Sequence, residues 1–171
     1  MSVLEIRQYP DPVLKGKCQP VKDITPEILK LIEDMAETMY AAPGVGLAAP
    51  QVGVPIRLAV IDVSLREENQ ALLVLINPEI ISAEGEAEEE EGCLSVKDFN
   101  AVVKRYETVR VRVTGKDGKV YEMDGEGLLA RAFQHELDHL DGVLFIDRIS
   151  ALKRNIFKRR LRKLLKMDEE N

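Results

Sequence analysis

The sequence predicts an α+β fold: short, mainly antiparallel sheets packed around one central helix, with a further helix at the C-terminus. Three observations predict it. Strand-like runs precede and separate three helical stretches without the regular strand-helix alternation of a parallel sheet. Two of those runs flank Gly115-Lys116-Asp117-Gly118-Lys119, a strong hairpin signal. The 171 residues are 45% hydrophobic and 32% charged, the profile of one globular domain over residues 1–171 with a real core.

The elements follow in order. Thr25-Pro26-Glu27 starts a helix, with a capping hydroxyl, a proline at the first helical position and an acid near the positive end of the dipole. Ile28, Leu31, Ile32, Met35 and Met39 recur at three- and four-residue spacing, which predicts one buried face ending near Tyr40. Small residues from Pro43 to Gln51 break that helix, and Arg57 to Val63 and Leu72 to Ile76 suit strands. Ser64 to Gln70 reads as a polar connection between them. Six of the eight residues from Glu84 to Glu91 are glutamate, which reads as a solvated face or loop. Thr108 to Val113 and Val120 to Met123 alternate as hairpin strands, closed by Gly125 and Gly127. A helix is expected from about Glu126 to Leu140, stopped by Gly142, and a last one over residues 150–166.

Composition removes several function classes. No apolar run approaches the length of a membrane span, so no membrane association is expected. The first twenty residues scatter charges among short apolar pieces, without the apolar centre of a signal peptide, so a cytoplasmic chain is expected. A formal charge of −6 argues against general DNA or RNA binding. Two cysteines, Cys18 and Cys93, are too few for a disulfide scaffold.

The chemistry concentrates in one pentapeptide. Both histidines of the chain fall in His135-Glu136-Leu137-Asp138-His139. Random placement would set two histidines four apart only about one time in a hundred, so the arrangement asks for a cause. On a helix, positions i and i+4 point the same way, so both imidazoles can reach one metal ion while Glu136 projects toward a bound water. A catalytic metal takes three protein ligands and keeps a place open for water. Phe145 stands where a metzincin protease has its third histidine, and no glutamate follows His139 until Glu169, which leaves a thermolysin-like site without a ligand. Upstream donors remain. Cys93, in Glu91-Gly92-Cys93-Leu94-Ser95, is the most suggestive, because the glycine before it lets backbone approach a ligand. Cys18 has no companion motif and reads as a buried structural thiol, although it is the one other thiol that could close a structural zinc site.

Gly44-Val45-Gly46-Leu47-Ala48-Ala49-Pro50-Gln51 adds a tight wall ending in an amide side chain. Together these three segments resemble the peptide deformylase family, which carries glycine-x-glycine-x-alanine-alanine-x-glutamine, then glutamate-glycine-cysteine-leucine-serine, then a histidine-glutamate-x-x-histidine motif, in this order. The resemblance runs from Met1 to about Lys166. It implies a metal-dependent hydrolase that removes the formyl group from the N-terminal formyl-methionine of nascent polypeptides and releases formate. It implies one divalent ion on Cys93, His135 and His139, ferrous iron in the cell, while the donor set also suits zinc, nickel or cobalt. Glu136 would move the proton, and Gln51 with the Leu94 backbone N–H would hold the oxyanion. An extended peptide would add as a strand near Val45, Gly46 and Gly92, with Val45, Leu128, Leu129 and Ala132 lining a methionine pocket. Whether Arg131 faces that pocket or solvent is left open.

The C-terminus carries Lys153, Arg154, Lys158, Arg159, Arg160, Arg162, Lys163 and Lys166, eight cations in fourteen residues without an acid. Ile156, Phe157, Leu161, Leu164 and Leu165 recur at helical spacing, so one face is expected to dock on the domain with the cations outward. The family resemblance makes this basic helix similar to an element that docks on the ribosome near the exit tunnel.

Overall fold

A computed structural model describes residues 2–64 and 71–170, with side chains through residue 167; most of the Ser64 to Gln70 connection therefore lies outside the described residues. A helix, α1, spans Pro26–Ala41, and the Thr25 hydroxyl accepts from the Ile28 N–H at 3.2 Å, as its sequence predicts. Strands β1 (Gly46–Ala48), β2 (Leu58–Ile61), β3 (Leu73–Glu84), β6 (Thr108–Thr114) and β7 (Val120–Glu126) form one five-stranded sheet in the order β1-β2-β3-β6-β7. Every neighbouring pair in it is antiparallel. Strands β4 (Ala87–Cys93) and β5 (Val96–Arg105) pair with each other alone.

The sheet is covered on both faces, which explains why β2 is an unbroken apolar run. Leu58 and Val60 pack with Ile32, Met35 and Met39 of α1, while Ala59 and Ile61 pack on the other side with Ala130, Phe133 and Leu140. Those last three belong to α2, Gly127–Leu140, the central helix. It ends where Gly142 turns left-handed at φ 76°, and a Cβ there would strike the Lys15 carbonyl. A third core joins Phe99 and Val103 of β5 to Phe145, Ile146 and Phe157.

Four expectations change. Strand β3 does not stop at Ile76: the ladder slips between Ile76 and Glu79, which accommodates Pro78 and its missing N–H, and continues to Glu84. Asn77 takes φ 49° at that slip and ties the sheet to Val21, through bonds of 2.8 Å to both its N–H and its carbonyl. The glutamate-rich run is a solvated strand face more than a loop: Glu84 ends β3, Gly85 and Glu86 connect, and Ala87 to Glu91 belong to β4. Glu88, Glu89 and Glu90 are exposed as expected, but Glu91 is buried, because β5 brings Arg105 beneath it. Residues 96–105, unassigned by the sequence reading, form β5 with Phe99, Ala101, Val103 and Arg105 all inward.

The last correction concerns α3, Ala151–Glu170. Phe157 is buried against Tyr9 and Phe99, with ring centroids 5.4 and 4.9 Å away, and Leu161 is half-buried. Ile156, Leu164 and Leu165 remain 42 to 49% exposed, so the apolar face docks over about one turn and not along its length. Arg154 also turns inward, donating to the carbonyls of Ile146 and Asp147 at 3.0 and 3.1 Å. No helix among the described residues is long and apolar enough to cross a membrane.

Candidate active site

Helix α2 presents His135 and His139 one turn apart, and the end of β4 delivers Cys93 to them. The Nε2 atoms of the two histidines stand 3.2 Å apart, Cys93 Sγ lies 3.4 Å from His139 Nε2, and all three donors fit within 4.8 Å of one another. The Glu91 carboxylate sits 3.0 Å from His135 Nδ1. A carboxylate accepts, so Nδ1 carries a proton and Nε2 is the ring atom left facing Cys93 and His139. Burial pulls the His135 pKa down, but its contacts with Cys93 and Glu91 outweigh burial and hold it well above the usual value. Burial and then the His135 charge push His139 well below it. Three donor atoms facing inward this close together suit a divalent cation in their centre, which would displace the proton that His135 otherwise holds there. Nitrogen and thiolate donors match the borderline-soft transition ions rather than magnesium or calcium. Cys18 is not in this group; it is buried beside Leu140, and burial pushes its thiol up to about 11, so no fourth protein ligand closes the site among the described residues.

Glu136 is 3% exposed and stands next to the donors without being one of them. Its Oε1 has no hydrogen-bond partner among the described residues, and the Gly46 backbone lies so close to Oε2 that any Cβ at position 46 would overlap it. Burial pushes this carboxyl up to about 7, against the pull of the His135 charge. Gln51 is oriented by its surroundings. The Ala48 N–H can only donate, so the atom 2.9 Å from it is Oε1, and the amide nitrogen then faces Ser95 Oγ at 3.1 Å and Cys93 Sγ at 3.6 Å.

These groups open on a cavity of about 470 Å³. Of the residues expected there, Val45, Gly46, Gln51, Gly92, Cys93, Leu94, Leu128, Ala132, His135 and Glu136 line it. Leu129 does not. One step round the helix from Leu128, it packs into the core with Ala130 and Phe133. His139 stays beneath the lining, 1% exposed.

Arg131 lines the wall, engaged rather than free: it donates to Glu91 at 2.5 Å and to the carbonyls of Val103 and Ala87 at 3.0 Å each. It belongs to a buried charge network that sequence reasoning missed. Arg105 grips Glu91 with two bonds of 2.9 Å and reaches Asp138 at 2.6 Å, while Arg148 holds Asp138 at 2.5 and 2.7 Å. Burial would raise the Glu91 pKa, but Arg105 and His135 hold it well below the usual carboxylate range. Glu91 thus stays an anion and keeps His135 in one tautomer. The available signal was Glu91 and Asp138, acids embedded in the motifs that carry the candidate metal donors.

Mixed cysteine and histidine donors, a buried carboxylate and an oriented amide around one cavity define a metal-dependent hydrolase. The comparisons with known proteins agree on its kind. Residues 3–155 match the model of the polypeptide deformylase family. The chain is 55% identical over 169 residues to a peptide deformylase of Acidobacterium capsulatum, covering 99% of each. It superimposes on a peptide deformylase of Legionella pneumophila with a TM-score of 0.91 at 44% identity, covering 99% of both chains. A peptide deformylase of Ehrlichia chaffeensis, solved in complex with actinonin, gives 0.90 at 36% identity over 95% of this chain and 98% of that one. The chain belongs to the polypeptide deformylase family.

Proposed function

We infer that this chain removes the N-formyl group from the formyl-methionine that begins nascent polypeptides, releasing formate and a free amino terminus. The observation that carries this is the convergence of Cys93, His135 and His139 beside the unpartnered Glu136 carboxylate in one cavity. Cys93, His135 and His139 would hold the ion. A divalent ion there supplies Lewis acidity, bringing the pKa of a bound water toward neutrality. Glu136 takes the proton of the attacking water and hands it to the departing amine nitrogen, a task suited to a carboxyl whose burial brings it near neutral pH. The Gln51 amide N–H and the Leu94 backbone N–H donate to the oxygen of the formyl group as it gains charge. Fixing the Gln51 carbonyl on Ala48 means that no reorganisation is needed when that charge develops. Val45, Leu128 and Ala132 form an apolar wall for the methionine side chain, and backbone at Gly46 and Gly92 takes the peptide as an added strand. The test is formate release from formyl-Met-Ala-Ser by the metal-loaded protein, with acetyl-Met-Ala-Ser as control. Formate from the first and no acetate from the second is expected; no formate at any metal loading would overturn the reading.

Ferrous iron is the ion we propose for the cell, with zinc, nickel or cobalt able to occupy the same donors. The working place is the cytoplasm, where nascent chains emerge. For a partner we propose the ribosome near the exit tunnel, through α3. Its exposed lysines and arginines have no ion-pair partner among the described residues, and they stand beside exposed Leu152, Ile156 and Leu164. Changing Arg159, Arg160, Arg162 and Lys163 to glutamine should leave formyl-tripeptide turnover intact and remove the protein from the ribosomal pellet at moderate salt. Pelleting equal to the parent would contradict the proposal.

A further inference from the structure

A second, smaller groove of about 320 Å³ begins where the active-site cavity ends. Phe99, Asn100, Val102, Lys153 and Ile156 line it, and Glu90 lines both it and the active-site cavity. Its floor is apolar and open. Val102 is 47% exposed and Ile156 42%, with Phe99 beneath them, while Glu90 and Lys153 place one charge of each sign at its rim. Asn100 connects the two spaces again, because its side-chain oxygen occupies the place that a Cβ on Gly92 would take.

We propose that this groove between β5 and α3 receives an apolar side chain of the nascent peptide several residues downstream of the formyl-methionine. The proposal rests on the deformylase reading and extends its binding site. Topology sets the path. Among the described residues strand β4 is paired with β5 on one edge only, which leaves its other edge to an added strand. A peptide whose first residue lies at Cys93 and which follows that edge toward Glu90 advances about 3.3 Å per residue, so its third or fourth residue reaches Glu90. Glu90 stands opposite Val102 in the ladder. The added strand lies one strand spacing of about 4.8 Å from β4 and β5 lies one more on the far side, so crossing the outer face of the hairpin takes about three further residues and brings the sixth or seventh residue over Val102 and Ile156. Continuity with the catalytic cavity is what selects this occupant over a second protein molecule, whose surface would have to cover Glu90 and block the mouth.

The test compares kcat/KM of the metal-loaded full chain on formyl-Met-Ala-Ser with two formyl heptapeptides carrying leucine or serine at positions 5 to 7. The leucine heptapeptide should exceed the serine one by about fivefold to tenfold through KM, the effect expected from one partly buried aliphatic side chain. Val102→Asp and, separately, Ile156→Ser on the exposed side of α3 should abolish that preference while leaving tripeptide kinetics unchanged. Unchanged tripeptide turnover also certifies that each variant is folded. Equal values for the two heptapeptides, or a preference that survives both substitutions, would overturn the groove while leaving the deformylase reading intact. Loss of tripeptide turnover in the parent would overturn that reading instead. A leucine preference that fades as protein concentration rises would assign the groove to a second copy and equally refute the proposal.

Discussion

Arg105→Gln removes the centre of the buried network and leaves the catalytic cavity lining untouched. The Arg105 side chain is 3% exposed and makes three charged bonds of 2.6 to 2.9 Å, two to Glu91 and one to Asp138. Removing one partner of a buried ion pair costs about 3–5 kcal/mol, because the other charge is left uncompensated. Here neither carboxylate is stranded: Glu91 keeps Arg131 at 2.5 Å, and Asp138 keeps Arg148 at 2.5 Å. The Arg148 side chain is 45% exposed, so solvent weakens what it can offset. The low end, about 3 kcal/mol, is therefore expected, which for a domain of this size lowers Tm by about 6–12 °C. The consequence reaches the metal through Glu91, whose grip on His135 Nδ1 loosens, and affinity for the ion should fall at least about tenfold. Thermal melts at fixed metal excess, with urea midpoints on the chelated protein, separate the two effects. Arg105→Lys restores charge without the two-pronged geometry and should remain close to the glutamine variant. A Tm within about 2 °C of the parent together with unchanged metal affinity would refute the reasoning.

The remaining predictions concern individual groups. Glu136→Gln should retain the ion and fall below a hundredth of parental turnover, whereas Cys93→Ala, His135→Ala and His139→Ala should lose the ion; metal analysis beside formate release distinguishes the two classes. Gln51→Ala should lower kcat by about a hundredfold at nearly constant KM, since an oxyanion donor acts on the transition state, and a change confined to KM would mean that it merely holds substrate. Peroxide should inactivate the ferrous form well before a nickel form, because oxidation acts at iron and its Cys93 ligand; equal half-lives would contradict this. Asp147 is partly buried, yet Lys15 and the Leu144 N–H hold its pKa below the usual value. A depressed folded-state pKa contributes stability above the unfolded value, so the stability gap between parent and Asp147→Asn should be constant near neutrality and close below about pH 4. A gap that persists at acid pH would count against the pairing.

What was legible in the sequence follows from how local each interaction is. The i, i+4 histidines and the Thr25-Pro26 cap act within one helical turn, and the structure places them where spacing predicted. Within the glutamate run only Glu91 departs from the solvated face expected, because it is buried by distant partners of opposite charge, Arg105 and Arg131, 14 and 40 residues away. Leu128 and Leu129 are indistinguishable by hydropathy, and the rotation between neighbouring helix positions sends one to the cavity and the other to the core. In α3 the apolar spacing correctly marks a helix, but only the aromatic pocket of Tyr9 and Phe99 determines that Phe157, and not Leu164, is covered. The donor set was readable while the ion was not, since cysteine with two histidines suits several metals.

The most direct test of the account is formate release from formyl-Met-Ala-Ser as ferrous or nickel ion is titrated, without oxygen, into chelated protein, with Cys93→Ala carried through the same titration. Formate release should climb linearly and break at one ion per chain in the parent, and stay at background in the variant. Full turnover in the chelated protein, or an equal response from the Cys93→Ala chain, would contradict the claim that Cys93, His135 and His139 hold one catalytic ion.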